Sequence, residues 1–183
     1  MRVFAALPLP EAVRMGLEET TSVLKRRYPR LKYTGESGMH VTLHFFGELP
    51  QTAVDEVGRI WDRFTHPPIP ASLGGLGQFP QRGAPRVIWI GFKKGLEELR
   101  AMNAAFQGAL SPLGYREDPR GFSPHITLAR NASTVMEREW GDGVPVPGMD
   151  FIFSEIVLYQ SILGPAGAEY VPLRRAVLAG SVA

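Results

Sequence analysis

The chain has 183 residues, 44% of them hydrophobic, and a formal net charge of +2 with a pI near 9.1. That is enough chain to bury one core or two small lobes, and the mildly basic balance suits nucleic-acid ends or nucleotides without demanding a long duplex footprint. With no cysteine, a disulfide framework, a thiolate metal site and a cysteine nucleophile are all excluded.

The opening MRVFAALPLP holds too short an apolar run for a signal peptide, and no stretch approaches the roughly 18 apolar residues of a membrane span. A cytoplasmic protein with no membrane partner is therefore expected. Arg2 to Leu7 reads as a strand stopped by Pro8 and Pro10, and Pro10 suits the first turn of a helix running to about Tyr28. His40 begins a strand that ends near Gly47. Thr52 is a candidate cap for a helix to about Phe64, with Leu49, Val54, Val57, Ile60, Trp61 and Phe64 as its apolar stripe. Strands follow at 69–78 and 86–92, then a helix from Leu96 towards Gly114, a second histidine strand from Phe122 to Leu128, and strands at 150–162 and 169–178. The Pro- and Gly-rich stretches between them read as turns rather than linkers, since apolar strand residues resume on either side. Hairpins outnumber crossovers, so the expected class is α+β with antiparallel sheets and flanking helices.

One four-residue phrase occurs twice, His40-Val41-Thr42-Leu43 and His125-Ile126-Thr127-Leu128, 85 residues apart. Each alternates polar and apolar as a half-buried strand does, so the histidine and threonine of each phrase share one face and the branched residue and leucine the other. The likeness extends outward. Helix-like segments open 29 residues before each histidine, at Glu11 and Leu96, and Gln78 and Gln160 follow the histidines at 38 and 35 residues, each ahead of a turn and a strand. The order helix, histidine strand, short helix, hairpin is thus written twice. The pattern predicts residues 1–183 as one bilobal domain built by internal duplication, a His40 repeat and a His125 repeat, with approximate two-fold symmetry and a cleft between the lobes. Two imidazoles and two hydroxyls meeting at that seam would supply protons in both directions and donors for an anion, the equipment of phosphoester chemistry without a metal.

His44 lies on the His40 face under strict alternation. An HxTxH strand invites a zinc reading, with His40, His44 and a carboxylate such as Glu48 as ligands, but a flat strand needs a third ligand from elsewhere and the second phrase has Ala129 at the matching place. No metal and no cofactor are expected; GFKKG lacks the spacing and the Ser or Thr of a Walker motif. Phe46 also alternates onto the His40 face, and Phe122 precedes His125 by three residues. Either could stack a base, with core packing as the competing reading.

The phrases HVTL and FFGE, then FSPHITLAR and VLYQSILGPAGAEY, resemble the 2H phosphoesterase superfamily, and within it the bacterial and archaeal RNA 2',3'-cyclic phosphodiesterases, formerly called 2'-5' RNA ligases. A single HxT carries no information; the pair, at this separation and with these flanks, does. The resemblance covers nearly the whole chain and implies a bilobal α+β fold, a cleft between the lobes, and metal-independent opening of a terminal 2',3'-cyclic phosphate to a 2'-phosphate, with reversible 2'-5' ligation of tRNA fragments in some members. It implies His40 as the acid that protonates the leaving 3'-oxygen and His125 as the base that activates water, although the symmetry of the motifs makes the reverse physically equal. Thr42 and Thr127 would then donate to the non-bridging phosphate oxygens. Arg130 matches the arginine of the family's HxTLxR pattern and could bind phosphate in a bidentate manner, yet strict alternation turns it away from His125. His44 would touch phosphate or ribose, or sit at the rim. The expected partners are RNA ends or nucleotides with a 2',3'-cyclic phosphate, including tRNA fragments, bound by a monomer. A 2'-5' phosphodiesterase or small cyclic-nucleotide hydrolase of the same fold remains open, as does a non-catalytic RNA-end binder.

Overall fold

Two antiparallel sheets carry the two histidine strands, one in each. The computed structural model describes residues 1–35, 38–130, 136, 139–164 and 167–180. In chain order the elements are β1 (Arg2–Pro8), α1 (Glu11–Gly16), α2 (Glu18–Arg27), β2 (Lys32–Tyr33), β3 (His40–Glu48), α3 (Gln51–Trp61), β4 (Ile69–Phe79), β5 (Val87–Lys94), α4 (Leu96–Leu110), β6 (Ile126–Arg130), β7 (Asp150–Phe153), β8 (Glu155–Gly164) and β9 (Gly167–Val177). One sheet has the order β3-β1-β8-β9 and the other β2-β6-β5-β4-β7, with every pairing antiparallel. The α+β class with antiparallel sheets is therefore observed. No helix among the described residues is long and apolar enough to cross a membrane.

The hairpins are exchanged between the histidine strands. The hairpin β4–β5, which follows His40 in sequence, pairs with β6 of the His125 phrase, whereas β8–β9, which follows His125, pairs with β1 beside β3. Read inward from the histidine strand, one sheet runs β3, β1, β8 and the other β6, β5, β4. Closing either sheet thus requires chain from both halves.

Several element boundaries depart from the sequence expectation for local reasons. The first helix is two, α1 and α2, which meet at Leu17 in helical conformation with its side chain fully buried. Burial of Leu17 and Leu24 in the common core orients the second segment. The strand expected over 150–162 is split at Ser154, because β7 pairs with β4 while β8 pairs with β1. The second histidine strand begins at Ile126 rather than Phe122, so His125 stands immediately before it. The short helix expected after that strand falls largely on residues 131–135 and 137–138, which lie outside the described residues.

One hydrophobic core lies behind the sheets. Val3, Ala5 and Leu7 of β1, Val41 and Leu43 of β3, Ile126 and Leu128 of β6 and Ile156 and Leu158 of β8 all belong to it. Trp61 of α3 and Phe106 of α4 pack edge to face at 5.4 Å, and the Trp61 indole donates to the Ile156 carbonyl at 3.1 Å, which ties the helical layer to β8. Burying aromatics of this size contributes on the order of 2–3 kcal/mol each. The opposite faces of β1, β3, β5 and β6 are left to form the site.

Candidate active site

Matching backbone irregularities in β3 and β6 build the site. In β3, Thr42 lies across from Ala6 and His44 across from Ala5, so Leu43 is an extra residue, a β-bulge. In β6, Thr127 lies across from Trp89 and Ala129 across from Ile88, so Leu128 is the extra residue. Both strands bulge at the leucine directly after the threonine. A bulge shifts the side-chain period by one, so what strict alternation assigns to one face beyond that point belongs to the other.

The shift settles three positions. Arg130 pairs with Val87, which shares a β5 face with Trp89, and so it joins Thr127 on the site face. His44 moves the other way. It sits across from Ala5 on the core side of β3, where its Nδ1 is 3.0 Å from Oε1 of Gln107 on α4 and its ring packs on Phe46 at 4.6 Å and Tyr115 at 5.8 Å. His40 and His44 therefore occupy opposite faces, contrary to the flat-strand expectation, and the arrangement that would place both on one zinc ion does not form. Phe46, expected beside His40, packs instead on His44 and Tyr115. The exposed Phe45 takes the place across from Phe4 on the site face. Phe122 is half-buried against the hydrophobic core, and the rings against His125 are Phe79 and Trp89 instead.

Gln107 holds the β3 bulge. Its Nε2 donates to the carbonyl of Leu43 at 3.1 Å while its Oε1 accepts from His44. A bulge removes the extra residue from the ladder, and an unpaired carbonyl near the core costs about 1–3 kcal/mol. Gln107→Ala is expected to destabilise the fold by about 1–2 kcal/mol and to lower kcat more than it raises KM, because Thr42 and His40 lose their register. Thermal unfolding beside steady-state kinetics checks this, and an unchanged kcat in a destabilised variant would show that the clamp does not reach the site.

Each histidine rests on an aromatic bed and is fixed by a backbone hydrogen bond two residues upstream. The His40 ring lies 4.9 Å from Phe4 of β1, 5.4 Å from Tyr170 of β9 and 6.4 Å from Tyr159 of β8, and it is hydrogen-bonded to the backbone of Gly38. The His125 ring lies 4.9 Å from Phe79 of β4 and 6.1 Å from Trp89 of β5, and its Nδ1–H donates to the Ser123 carbonyl at 2.7 Å. That bond leaves Nε2 of neutral His125 with its lone pair, the state a base requires. Gly77 makes room for this bed, since a Cβ there would stand 2.3 Å from the Trp89 ring.

Burial lowers the His40 pKa to about 4; the hydrogen bond to Gly38 opposes the shift, and the charges of His125 and Arg130 add to it. His125 is lowered too, first by burial, against the Ser123 bond and with the help of Arg130. Charges influence one another at such sites only over limited range, and β3 and β6 come into contact, which brings His40, His125 and Arg130 to one region between the sheets. Arg130 is exposed and has no carboxylate within ion-pair distance among the described residues. Thr42 is exposed and Thr127 half-buried, each on its histidine's face. Three cationic or protonatable groups and two hydroxyls, with no carboxylate ion-paired to them among the described residues, make an arrangement suited to an anion and to proton movement.

The aromatic beds were not legible as site residues. Phe4, Tyr159, Tyr170, Phe79 and Trp89 come from five strands distant in sequence, and their apolar neighbours resemble ordinary core. Gln107 stands on a helix face, and only the bulge gives it a task.

Comparison with known proteins agrees with this geometry. The family described as the 2'-5' RNA ligase superfamily matches residues 10–161. A curated Aeropyrum pernix protein named RNA 2',3'-cyclic phosphodiesterase is 33% identical over 82% of this chain and 88% of its own length. The crystal structure of TT0787 of Thermus thermophilus matches with a TM-score of 0.82 at 28% identity, covering 97% of this chain and 98% of that one. A structure of Escherichia coli LigT complexed with 3'-AMP matches with a TM-score of 0.79 at 26% identity, covering 98% of each chain. With a family match over most of its length, two histidine phrases in facing sheets and a fold shared end to end with these structures, the chain belongs to the 2'-5' RNA ligase superfamily.

Proposed function

We propose that this protein opens RNA-terminal 2',3'-cyclic phosphates to 2'-phosphates by metal-independent acid–base catalysis. The observation that carries the reading is the placement of His40 at the start of β3 and His125 directly before β6, strands of separate sheets, with the charge of His125 acting on His40 and that of Arg130 acting on both. In-line opening needs a base on one side of phosphorus and an acid on the other. Neutral His125, with Nδ1 held by Ser123, accepts a proton from water at Nε2. The water oxygen bonds to phosphorus, the bond from phosphorus to the 3'-oxygen breaks, and His40 protonates that oxygen. One water is consumed and both histidines exchange protonation states. Thr42, Thr127 and Arg130 hold the non-bridging oxygens as negative charge grows on them.

His40 needs a proton that its buried, cation-flanked surroundings disfavour. A bound phosphodiester supplies negative charge beside the imidazole and raises its pKa, so the acid is charged by its own substrate. The sign for the free enzyme follows: kcat/KM depends on one histidine being protonated and the other neutral, and both pKa values lie below the ordinary 6.5. A kcat/KM maximum below pH 6.5 is expected, falling as pH rises through the higher of the two values, with the kcat profile displaced upward. A kcat/KM profile still rising between pH 7 and 8 would contradict it.

Names borne by relatives support the substrate class. The Aeropyrum pernix relative is named for RNA 2',3'-cyclic phosphate, and LigT holds 3'-AMP. Ends of tRNA fragments, a cytoplasmic location, a monomeric state and reversible 2'-5' ligation complete the proposal, as does an origin of the two histidine sheets by internal duplication. The matching bulges and the upstream backbone bonds favour that origin. Titrating binding and turnover on one oligonucleotide ending in a 2',3'-cyclic phosphate tests the activity: product formed at the affinity of binding is expected, and a measurable Kd without product would leave an RNA-end binder.

A further inference from the structure

A cavity of about 460 Å³ opens beside the His40 bed and shares two of its walls. Tyr159 and Tyr170 line it and also pack on the His40 ring, and Glu11 and Arg14 of α1 and Glu155 and Arg175 of the β8–β9 hairpin line it as well. Its volume is that of a small-molecule site. Arg175 pairs with Val157 and Pro172 with Tyr159, so this wall is the His40 face of the sheet continued.

The two guanidinium groups are not equivalent. Arg175 is held by Glu155, with Nη1 2.9 Å from each carboxylate oxygen, so its charge is already matched. Arg14 donates from Nη1 to the Leu9 carbonyl at 2.6 Å and has no carboxylate within ion-pair distance among the described residues. The bond to Leu9 fixes the side chain without neutralising it. Its charge acts on Tyr159, where burial is the larger influence and raises the phenol pKa while Arg175 and Arg14 oppose it. Tyr159 thus links the two ends, its ring at His40 and its hydroxyl within reach of the Arg14 charge, which is the smallest of the influences on it after burial, Arg175 and Glu155.

A ligand reaching from His40 past the two tyrosines into this cavity would carry a reacting phosphate at His40, a flat or sugar-like body along the tyrosines, and a second anion at Arg14. The terminal nucleotide of an RNA strand has that shape, with a cyclic phosphate on its 2',3' side and another phosphate on its 5' side. We propose that the cavity is a subsite for the 5'-phosphoryl group of the terminal nucleotide, received by Arg14, with Tyr159 and Tyr170 flanking the nucleoside. The proposal rests on the cyclic phosphodiesterase reading and adds to it a requirement on the other end of the nucleotide.

Three substrates test it: adenosine 2',3'-cyclic phosphate with a free 5'-hydroxyl, the same compound with a 5'-phosphate, and the dinucleotide ending in the cyclic phosphate. A 5'-phosphoryl group should raise kcat/KM by about tenfold, the size of one charge-assisted hydrogen bond. Arg14→Gln should bring the ratio of 5'-phosphorylated to 5'-hydroxyl substrate close to one, Arg14→Lys should restore part of it, and Glu11→Gln should increase it by removing a negative charge from the rim. Because each readout is a ratio within one variant, a general loss of folding cancels. A wild-type ratio near one, or a high ratio that survives in Arg14→Gln, would overturn the subsite while leaving the phosphodiesterase reading in place. No turnover of any of the three would overturn the reading itself, and the subsite with it. The two sources of the phosphate separate in the same assay, since a preference for the dinucleotide over the 5'-monophosphate identifies an RNA strand and equal rates identify a free nucleotide.

Discussion

Replacing His125 with alanine is expected to lower kcat/KM on the RNA cyclic phosphate by about 10²–10⁴-fold, and His40→Ala by a similar factor. In the proposed mechanism both side chains meet the reacting atoms, while Thr42, Thr127 and Arg130 are given to the phosphate and offer no second imidazole to stand in for either. The double variant should be scarcely worse than either single one, because acid and base act in the same transition state and their losses do not add. A substrate with an activated leaving group separates the roles. A nitrophenolate departs without a proton, so on a 3'-deoxynucleoside 2'-(4-nitrophenyl) phosphodiester, which keeps the bond from phosphorus to the 2'-oxygen and puts nitrophenolate in place of the departing 3'-oxygen, the deficit of the variant lacking the acid should shrink and that of the variant lacking the base should persist. Rescue of His40→Ala but not His125→Ala is expected. Rescue in the reverse order would exchange the roles, and rescue of neither would remove leaving-group protonation from the account.

Arg130→Ala is expected to cost about 10²-fold in kcat/KM, between the histidines and the threonines. Exposed at the end of β6 and brought to the site face by the Leu128 bulge, it is the cation that the proposed mechanism gives to two phosphate oxygens, in the fork geometry that carboxylates and phosphates match. Arg130→Lys keeps the charge but loses the fork, so it should recover only part of the activity. The variant has a second signature. Arg130 lowers both histidine pKa values, so in Arg130→Ala the free-enzyme kcat/KM optimum should move to higher pH. A rate loss with no movement of the profile would place the guanidinium farther from the imidazoles than this geometry requires. Thr42→Val and Thr127→Val should each cost less than Arg130→Ala, since each removes one neutral donor among several.

How much of this was legible in the sequence depends on the kind of signal. Periodicity and punctuation placed the strands of both hairpins and the starts of α1 and α4 at Glu11 and Leu96. The repeated phrase singled out His40 and His125, because two scarce residues opening the same strand pattern leave few other readings. Pairing was not legible. Nothing local tells β4–β5 to join β6 and β8–β9 to join β1, since both hairpins bury one apolar face and either sheet could accept it. The bulges were invisible for a related reason: a bulge is a mismatch between two strands, and one strand's sequence shows only alternation. That single omission misplaced His44 and Phe46 on the site face and left Arg130 in doubt, although all three lie within six residues of a histidine that was found. In physical terms, the chemistry was written in residue identity and the geometry in long-range partnership.

The most direct test of the central claim is the fate of an RNA oligonucleotide ending in a 2',3'-cyclic phosphate, incubated with the protein in EDTA beside His40→Ala and His125→Ala, with 2'- and 3'-phosphate products resolved. Conversion to the 2'-phosphate by the wild type, lost in both variants, is the expected result. A 3'-phosphate product, activity abolished by EDTA, or full turnover in either variant would contradict a metal-independent acid–base pair formed by these two histidines.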